Sequence, residues 1–234
     1  MTGSGGSGRN RLGHLLTLSL VLNVLLVGYG AYRLLDFDGD GPPRSAWLPH
    51  ARTTLFAELP PVDGGDIHLG ASIIQYGAWG ELLAPRAAHN RGIAGDTTAG
   101  VLARLDASVR GTPERIFVMV GLNDLLTGVP EAEIEANMRL VLAGLSERAP
   151  EAELFVYSLL PVRGRGPGAV DAIRRLNARM QELTVAEGHR FVDLQPAFAD
   201  AEGQLKAELT TDGIHLDGAG YRLWATVLGN EGLN

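Results

Sequence analysis

Five short apolar runs predict the strands of a buried sheet. They are DIHLG at 66–70, AAHNRGI at 87–93, RIFVMVG at 115–121, ELFVYSLL at 153–160 and HRFVDL at 189–194, of which the second is the weakest. Most of them lack the regular polar alternation of a half-exposed strand. Runs of this kind are typical of parallel strands that are covered on both faces.

Helical periodicity separates these runs. Three sets of apolar residues recur every three or four positions: Ile134, Met138, Val141 and Leu145; Val170, Ile173, Leu176, Met180 and Leu183; and Tyr221, Trp224 and Leu228. Pro130, followed by acidic residues, is typical of a helix start, and Asp217 is a suitable cap for the last helix. The alternation predicts an α/β domain in three layers, α/β/α, around a mostly parallel sheet of roughly five strands.

The N-terminal part of the chain has a different pattern. A Gly/Ser-rich leader with two arginines, at 1–14, precedes an uncharged apolar stretch, and aspartates follow that stretch. We predict a disordered leader at 1–14 and a hydrophobic transmembrane signal-anchor helix at 15–34, with the N-terminus in the cytoplasm. A cleaved signal peptide is the alternative, because Gly28 and Gly30 are small enough for cleavage before Ala31.

Residues 35–60 are predicted to be an acidic linker rich in Pro and Gly. The segment DFDGDG at 36–41 is similar to the start of a calcium loop, but Trp47 stands where such a loop needs a bidentate Glu. Residues 61–234 then form one folded domain, which either reading of the N-terminal segment places on the extracytoplasmic side of a membrane, periplasmic or extracellular. It remains attached to the membrane by the anchor, or is secreted if the segment is cleaved.

Composition excludes several classes of function. A net charge of -7 argues against nucleic-acid binding, which normally requires a basic face. The chain has no cysteine, so it has no disulfide, no thiolate metal site and no cysteine nucleophile. There is no H-E-x-x-H motif, and we expect neither a metal nor a cofactor. Five histidines have no partner at metal-ligand spacing: His14, His50, His68, His89 and His189.

Small or polar clusters follow several predicted strands, at the edge where α/β sheets collect ligands. Gly70-Ala71-Ser72 follows the first strand, 94–97 (Ala-Gly-Asp-Thr) the second and 121–124 (Gly-Leu-Asn-Asp) the third, and 212–215 (Asp-Gly-Ile-His) lies near the C-terminus. Four such clusters on one edge are more than ordinary turns require. They predict a site that is assembled from distant parts of the chain.

These clusters contain the groups that nucleophilic attack on an ester requires. Ser72 is a candidate nucleophile, His215 its general base, and Asp212 the acid that orients the imidazole and stabilises the imidazolium. The tetrahedral oxyanion needs donors that already face it. Candidate donors are the N–H groups of Ser72 and Gly95 and the side-chain amide of Asn123.

Other residues at this edge compete for the same roles. Gly92 is a rival for Gly95 as a donor, but it is expected still to lie within the strand. Asp193 is a rival acid, although Asp212 is closer in sequence to His215. Two further acids are expected to cap helices or brace loops: Asp96 and Asp124.

The four clusters, in this order and spacing, resemble the SGNH (GDSL-type) esterase and lipase family. The stretches NRGIAGDTTAGVLARL at 90–105, WGELL at 79–83 and Leu160-Pro161 are similar to its platelet-activating-factor acetylhydrolase-like branch. The likeness covers residues 66–228 and implies a flavodoxin-like fold. It assigns the family's Ser, Gly, Asn and His to Ser72, Gly95, Asn123 and His215, with Asp212 as the third member of a catalytic triad.

One position departs from the family pattern. The family usually reads G-D-S, whereas this chain has Gly70-Ala71-Ser72. Ala71 cannot accept the hydrogen bonds that a carboxylate accepts. We therefore expect the nucleophile turn to be held less firmly and to contact substrate differently.

Residues and resemblance together predict a serine esterase that hydrolyses acyl esters through an acyl-enzyme. The resemblance implies short-chain acyl esters, acetylated sugars or lysophospholipids as substrates. Two alternatives use the same fold. One is acyl transfer to a sugar or lipid hydroxyl by the same triad, and the other is a binding module without catalysis.

Overall fold

The computed structural model describes residues 44–233. The predicted leader at 1–14 and hydrophobic helix at 15–34 lie outside that range. Among the helices of 44–233, none has the length and hydropathy that crossing a bilayer requires. One compact unit begins at Pro49 and contains the whole sheet.

The central sheet has five parallel strands, which fall on the five predicted runs. They are β1 (Asp66–Gly70), β2 (Ala88–Gly92), β3 (Arg115–Met119), β4 (Glu153–Tyr157) and β5 (Arg190–Val192). Their spatial order is β2-β1-β3-β4-β5, and every neighbouring pair is parallel. This is the flavodoxin-like order. The order reverses between β1 and β3, so a ligand is expected outside the carboxyl ends of those two strands.

Helices connect the strands. They are α1 (Arg44–Glu58), α2 (Ser72–Tyr76), α3 (Trp79–Leu82), α4 (Thr98–Ala103), α5 (Leu105–Ser108), α6 (Leu122–Thr127), α7 (Glu131–Arg148), α8 (Pro167–Ala186), α9 (Gln195–Phe198) and α10 (Gly218–Asn230), with a 3-10 turn at Ala207–Leu209. The three predicted apolar stripes are the buried faces of α7, α8 and α10. Helix α7 begins directly after Pro130. Asp217 caps α10 by accepting hydrogen bonds from the backbone N–H groups of Ala219 and Gly220.

Helices cover both faces of the sheet, as the uniform burial of β1 and β3 requires. Successive side chains of a strand point to opposite faces. In β2, the Asn90 amide donates to the Ile74 carbonyl oxygen in α2, whereas the guanidinium of Arg91 lies 5.2 Å from the ring of Phe56 in α1. Opposite faces of one strand therefore contact different helices.

The linker predicted at 35–60 is wrong over most of its length, because Arg44–Glu58 forms helix α1. The helix docks through Phe56, which is 3% exposed. Three guanidinium groups lie over its ring at 5.1 to 5.8 Å, those of Arg52, Arg91 and Arg104. Burial of the ring and these cation–π contacts hold a polar-looking segment in place. Because Arg91 and Arg104 are distant from Phe56 along the chain, the local sequence alone does not predict that this segment docks.

Candidate active site

The candidate nucleophile occupies the junction between β1 and α2. Ser72 is the first residue of α2, and its neighbour Ala71 is the N-cap residue. Ser72 is 9% exposed. It therefore lies at the carboxyl end of β1, beside the point where the strand order reverses, as the sequence predicts.

Three predicted side chains form one hydrogen-bonded chain. The Nε2 atom of His215 lies 2.9 Å from the Oγ atom of Ser72, and Nδ1 of the same ring lies 2.6 Å from Oδ2 of Asp212. Ser72 and His215 are 143 positions apart in sequence. The fold thus brings a hydroxyl, an imidazole and a carboxylate into the geometry in which the imidazole accepts the hydroxyl proton.

The Asp212 carboxylate is held by its own turn. Oδ1 accepts hydrogen bonds from the backbone N–H groups of Ile214 at 2.9 Å and His215 at 2.8 Å, while Oδ2 faces the ring. These bonds, that of the His215 ring first, hold the pKa of the Asp212 carboxyl well below its usual range. The group is therefore a carboxylate at neutral pH, able to fix the imidazole tautomer.

The turn that carries Ser72 is anchored without a polar side chain at Ala71. The Ala71 side chain makes no capping bond. Instead, the Tyr221 hydroxyl donates to the Ile73 carbonyl oxygen at 2.7 Å, and the Trp79 indole N–H donates to that of Ile74 at 2.8 Å. We expect a looser turn from the sequence, but these two bonds supply an anchor that the local sequence does not reveal.

Two of the three predicted oxyanion donors, Asn123 and Gly95, lie on neighbouring segments. Asn123 lines the same cavity as Ser72, and its Nδ2 donates to the Asp96 carbonyl oxygen at 2.7 Å. Gly95 lies on an exposed turn closed by a hydrogen bond from Asp96 N–H to the Ile93 carbonyl oxygen at 3.1 Å. Its φ of +84° favours glycine, and no described group accepts a hydrogen bond from its N–H. Asn123 thus borders the cavity directly, whereas Gly95 belongs to the turn that Asn123 contacts.

The two rivals from the sequence take other positions. Gly92 is the last residue of β2, and its N–H donates to the side chain of Asn90 at 2.9 Å, so that donor is already occupied. Asp193 accepts a hydrogen bond from the Gln195 N–H at 3.0 Å, away from His215. Asp212 rather than Asp193 thus contacts the His215 ring, and the Gly95 N–H, unlike that of Gly92, has no acceptor among the described residues.

The candidate catalytic atoms open onto a small apolar cavity. Besides Ala71, Ser72 and Asn123, its lining includes apolar side chains, among them Leu122, Leu159, Leu160 and Ile214. An uncharged group is better accommodated by this lining than a charged one.

Several residues that support the site are missing from the sequence prediction. Gln75 accepts a hydrogen bond from Ala94 N–H at 2.7 Å, next to Gly95. The exposed ring of Tyr76 lies edge-on to the His215 ring, with centroids 5.4 Å apart. Arg104 is buried and bonds to three segments at once. Of these three residues, only Arg104 could have been found from the sequence, because it is a single charged residue between apolar ones.

The two acids expected to act as braces do so. Asp96 forms an ion pair with Arg104 at 2.6 Å. Asp124 accepts hydrogen bonds from the backbone N–H of Thr98 at 3.0 Å and from its hydroxyl at 2.6 Å. Over 44–233, no three His, Asp or Glu side chains come together as a metal site would need.

Comparisons with known proteins place this geometry in a family. The model of the GDSL-like lipase/acylhydrolase family matches residues 67–223, well over half of the chain. Platelet-activating factor acetylhydrolase IB subunit alpha1 of Bos taurus is 32% identical over 200 residues, which cover 80% of this chain and 80% of that protein.

Solved structures agree. A candidate platelet activating factor from Streptococcus pneumonia is 30% identical with a TM-score of 0.75, covering 80% of this chain and 95% of that one. A GDSL-like lipase from Bacteroides thetaiotaomicron is 22% identical with a TM-score of 0.65, covering 78% of this chain and 96% of that one. The second likeness is one of fold alone. With the family model and the acetylhydrolase relative, the first establishes that the chain belongs to the GDSL-like lipase/acylhydrolase family and is a carboxylic ester hydrolase.

Proposed function

We propose that Ser72, His215 and Asp212 are the catalytic triad of this ester hydrolase. The observation that carries the proposal is the 2.9 Å contact between Ser72 Oγ and His215 Nε2, continued by the 2.6 Å contact between His215 Nδ1 and Asp212. A serine hydroxyl becomes a useful nucleophile only when a base accepts its proton in this geometry.

The reaction has two halves. Ser72 Oγ attacks the ester carbonyl carbon while His215 Nε2 accepts the hydroxyl proton, and the tetrahedral intermediate collapses as His215 returns that proton to the leaving alkoxide. Water then attacks the acyl-enzyme, losing a proton to His215, and Ser72 recovers its proton as the carboxylic acid leaves. In both halves, Asp212 stabilises the imidazolium that forms.

Three donors are proposed for the oxyanion: the N–H groups of Ser72 and Gly95 and the Asn123 amide. Ser72 N–H lies in the first turn of α2 and Gly95 N–H on an exposed turn, and neither donates to another described group. Asn123 supports the assignment by its position beside Ser72 in the cavity. Such donors typically contribute ~10²–10³ each in rate.

The apolar cavity favours an uncharged acyl group. Its lining stabilises a methyl or ethyl group. The acetylhydrolase relatives support this choice by name. The leaving alcohol would pass the exposed ring of Tyr76, which flanks the proton donor His215. Acetyl esters are accordingly the first substrates to test.

We further propose that the hydrolase works on the extracytoplasmic side of a membrane. The support is the uncharged apolar stretch at 15–32, with two arginines before it, and with Arg33 and then three aspartates after it. A cleaved signal peptide would give the same side without an anchor. The N-terminal residue of protein purified from producing cells decides between them. An intact leader in a membrane fraction supports the anchor, and a start near Ala31 in the medium contradicts it.

The nucleophile is tested by labelling and by substitution. A fluorophosphonate probe should modify Ser72, identified by peptide mapping, and p-nitrophenyl acetate should release a burst of nitrophenol. Ser72→Ala should lower kcat by on the order of 10⁴-fold or more and abolish the burst. Ser158→Ala, at a buried serine that contacts Leu194 N–H, is the control for a lost hydroxyl. Equal activity in Ser72→Ala and the wild-type protein would refute the triad.

A further inference from the structure

The buried guanidinium of Arg104 connects the two segments that hold the proposed nucleophile and the proposed oxyanion donors. Arg104 is 4% exposed and lies at the end of α4. Its Nη2 donates to the Gly70 carbonyl oxygen at 3.0 Å, two residues before Ser72. Its Nε donates to Asp96 at 2.6 Å, one residue after Gly95.

The third contact fixes the guanidinium plane. Nη1 of Arg104 donates to the Ser108 hydroxyl at 2.7 Å, so all three nitrogen atoms are engaged. A planar fork with three partners cannot rotate without losing one of them. The separation between the end of β1 and the turn at 93–96 is therefore set by a rigid group.

Because Arg104 and Asp96 are buried, the ion pair between them is a poor source of folding stability. Desolvation lowers the pKa of Arg104, although Asp96 offsets part of that effect, and desolvation likewise raises the pKa of Asp96. Buried ion pairs can often be replaced by apolar residues at little loss of stability. The geometry that the pair imposes therefore explains its presence better than a contribution to the free energy of unfolding does.

That geometry extends to the oxyanion donors. The backbone oxygen of Asp96 accepts the Asn123 amide N–H at 2.7 Å, which fixes the orientation of the amide. From the other side, Gln75 in α2 holds Ala94 N–H at 2.7 Å. The turn between Ala94 and Asp96 is thus held at both ends, with Gly95 between them.

We propose that Arg104 is a positioning residue for oxyanion stabilisation. It touches neither substrate nor reacting atoms. It acts through Asp96, keeping Gly95 N–H and the Asn123 amide directed at the oxygen on which negative charge develops after attack by Ser72. This proposal rests on the triad and donors proposed above.

A residue in this role affects the transition state more than the bound substrate. Preorganised donors strengthen their hydrogen bonds as charge develops on the oxygen, so displacing them lowers kcat and leaves KM nearly unchanged. Loss of a whole donor lowers kcat by ~10²–10³. A partial displacement of two donors should lower it by roughly 10- to 100-fold.

The experiment compares Arg104→Lys with Arg115→Lys in the full chain. Arg115 is also a buried arginine, and it forms an ion pair with a buried aspartate, Asp66, at the opposite end of the sheet. Lysine keeps the charge in both variants but cannot reach three partners. With p-nitrophenyl acetate, well below each unfolding midpoint, we expect kcat to fall about 10- to 100-fold only in Arg104→Lys, with KM within about twofold.

A double-substitution cycle tests the route through the donors. In the Asn123→Ala background, Arg104→Lys should lower kcat by clearly less than in the wild-type background, because part of its effect is already lost. Fully additive losses overturn the proposal. So does a kcat for Arg104→Lys equal to that of the wild-type protein, or an equal fall in Arg115→Lys.

Failure of this inference is distinguishable from failure of the triad. Inactive Ser72→Ala together with fully active Arg104→Lys leaves the triad in place and removes the positioning role. Should Arg104→Lys not fold, Asp96→Asn breaks the same connection from the other side, and the same split between kcat and KM is expected.

Discussion

Two buried arginine–aspartate pairs lie at opposite ends of the sheet, and they differ in what they connect. At the amino end, Arg115 and Asp66 are the first residues of β3 and β1 and are register partners. They form a bidentate pair at 2.8 and 2.5 Å, and Arg86 adds a contact at 2.9 Å. At the carboxyl end, Arg104 spreads its bonds over three segments.

The difference shows how one pair of residue types serves two purposes. A bidentate pair between adjacent strand starts fixes register and little else. A guanidinium shared among a strand end, a turn and a helix fixes the relative position of loops. The amino end is thus expected to govern the stability of the sheet, and the carboxyl end to govern chemistry.

The largest expected effect lies at the carboxyl end. Asp212→Asn should lower kcat by on the order of 10³–10⁴-fold, because the neutral amide neither fixes the tautomer of His215 nor stabilises its charge. Steady-state hydrolysis of p-nitrophenyl acetate measures this loss. Asp193→Asn, at the rival acid, is the matched control and should retain activity. If Asp193→Asn lost activity and Asp212→Asn retained it, the catalytic acid would be Asp193.

The opposite end should respond in stability alone. Asp66→Asn leaves the buried guanidinium of Arg115 without a carboxylate, which should lower the free energy of unfolding by ~3–5 kcal/mol. Urea denaturation measures it. Asp106→Asn removes a pair with Arg148 whose aspartate is 88% exposed, and should cost at most ~1 kcal/mol. If folded Asp66→Asn protein also had a lower kcat, the expected division between stability at the amino end and chemistry at the carboxyl end would be wrong.

A smaller loss of activity is expected from one donor. Asn123→Ala should lower kcat by ~10²–10³ with KM little changed, since it removes a proposed donor to the oxyanion. Asn137→Ala serves as the control, because Asn137 contacts Thr98 at 3.2 Å without lining the cavity. If KM rises while kcat is unchanged, Asn123 binds the ground state and its oxyanion role is wrong.

Over the range from pH 7 to 5, the smallest effect concerns a histidine between the two ends. His68 is fully buried, its ring lies between those of Trp79 and Phe117, and neither ring nitrogen has a partner among the described residues. Burial lowers the pKa of His68 to about 3. The unfolded chain, with a histidine pKa of ~6.5, binds the proton more readily, so stability should fall as pH drops from ~6.5 towards 3, by up to ~1.4 kcal/mol per pH unit.

Substitution separates this contribution from those of other groups. His68→Phe should weaken the pH dependence of the unfolding free energy over that window, measured by urea denaturation at pH 7, 6 and 5. His50→Gln, at an exposed histidine, should leave the dependence unchanged. Parallel curves for wild-type and His68→Phe protein would mean that His68 does not bind a proton on unfolding.

Local pattern was enough to predict the sheet, since the run DIHLG at 66–70 is also the full extent of β1. Burial on both faces leaves a direct mark on composition. The positions of Ser72, Asp212 and His215 followed from strand ends and from a short turn. These are features whose geometry is mostly local.

Long-range contacts could not be predicted from the sequence. The docking of α1 depends on Phe56 meeting Arg91 and Arg104, which nothing within 44–58 indicates. The bond between Gln75 and Ala94 likewise depends on the packing of α2 against β2. Supporting residues are hard to predict because their partners are set by tertiary structure, whereas the reactive residues they hold carry distinctive chemistry.

The order of segments along the chain has a consequence for how the protein folds during synthesis. All five strands precede Thr210, whereas the turn with Asp212 and His215 follows them and is fastened by a hydrogen bond from Arg163 N–H to the Gly213 carbonyl oxygen at 2.8 Å. During synthesis, the sheet can assemble before that turn has left the ribosome. Under the proposed triad, a nascent chain whose sheet has assembled is expected to hydrolyse esters only after this final turn docks.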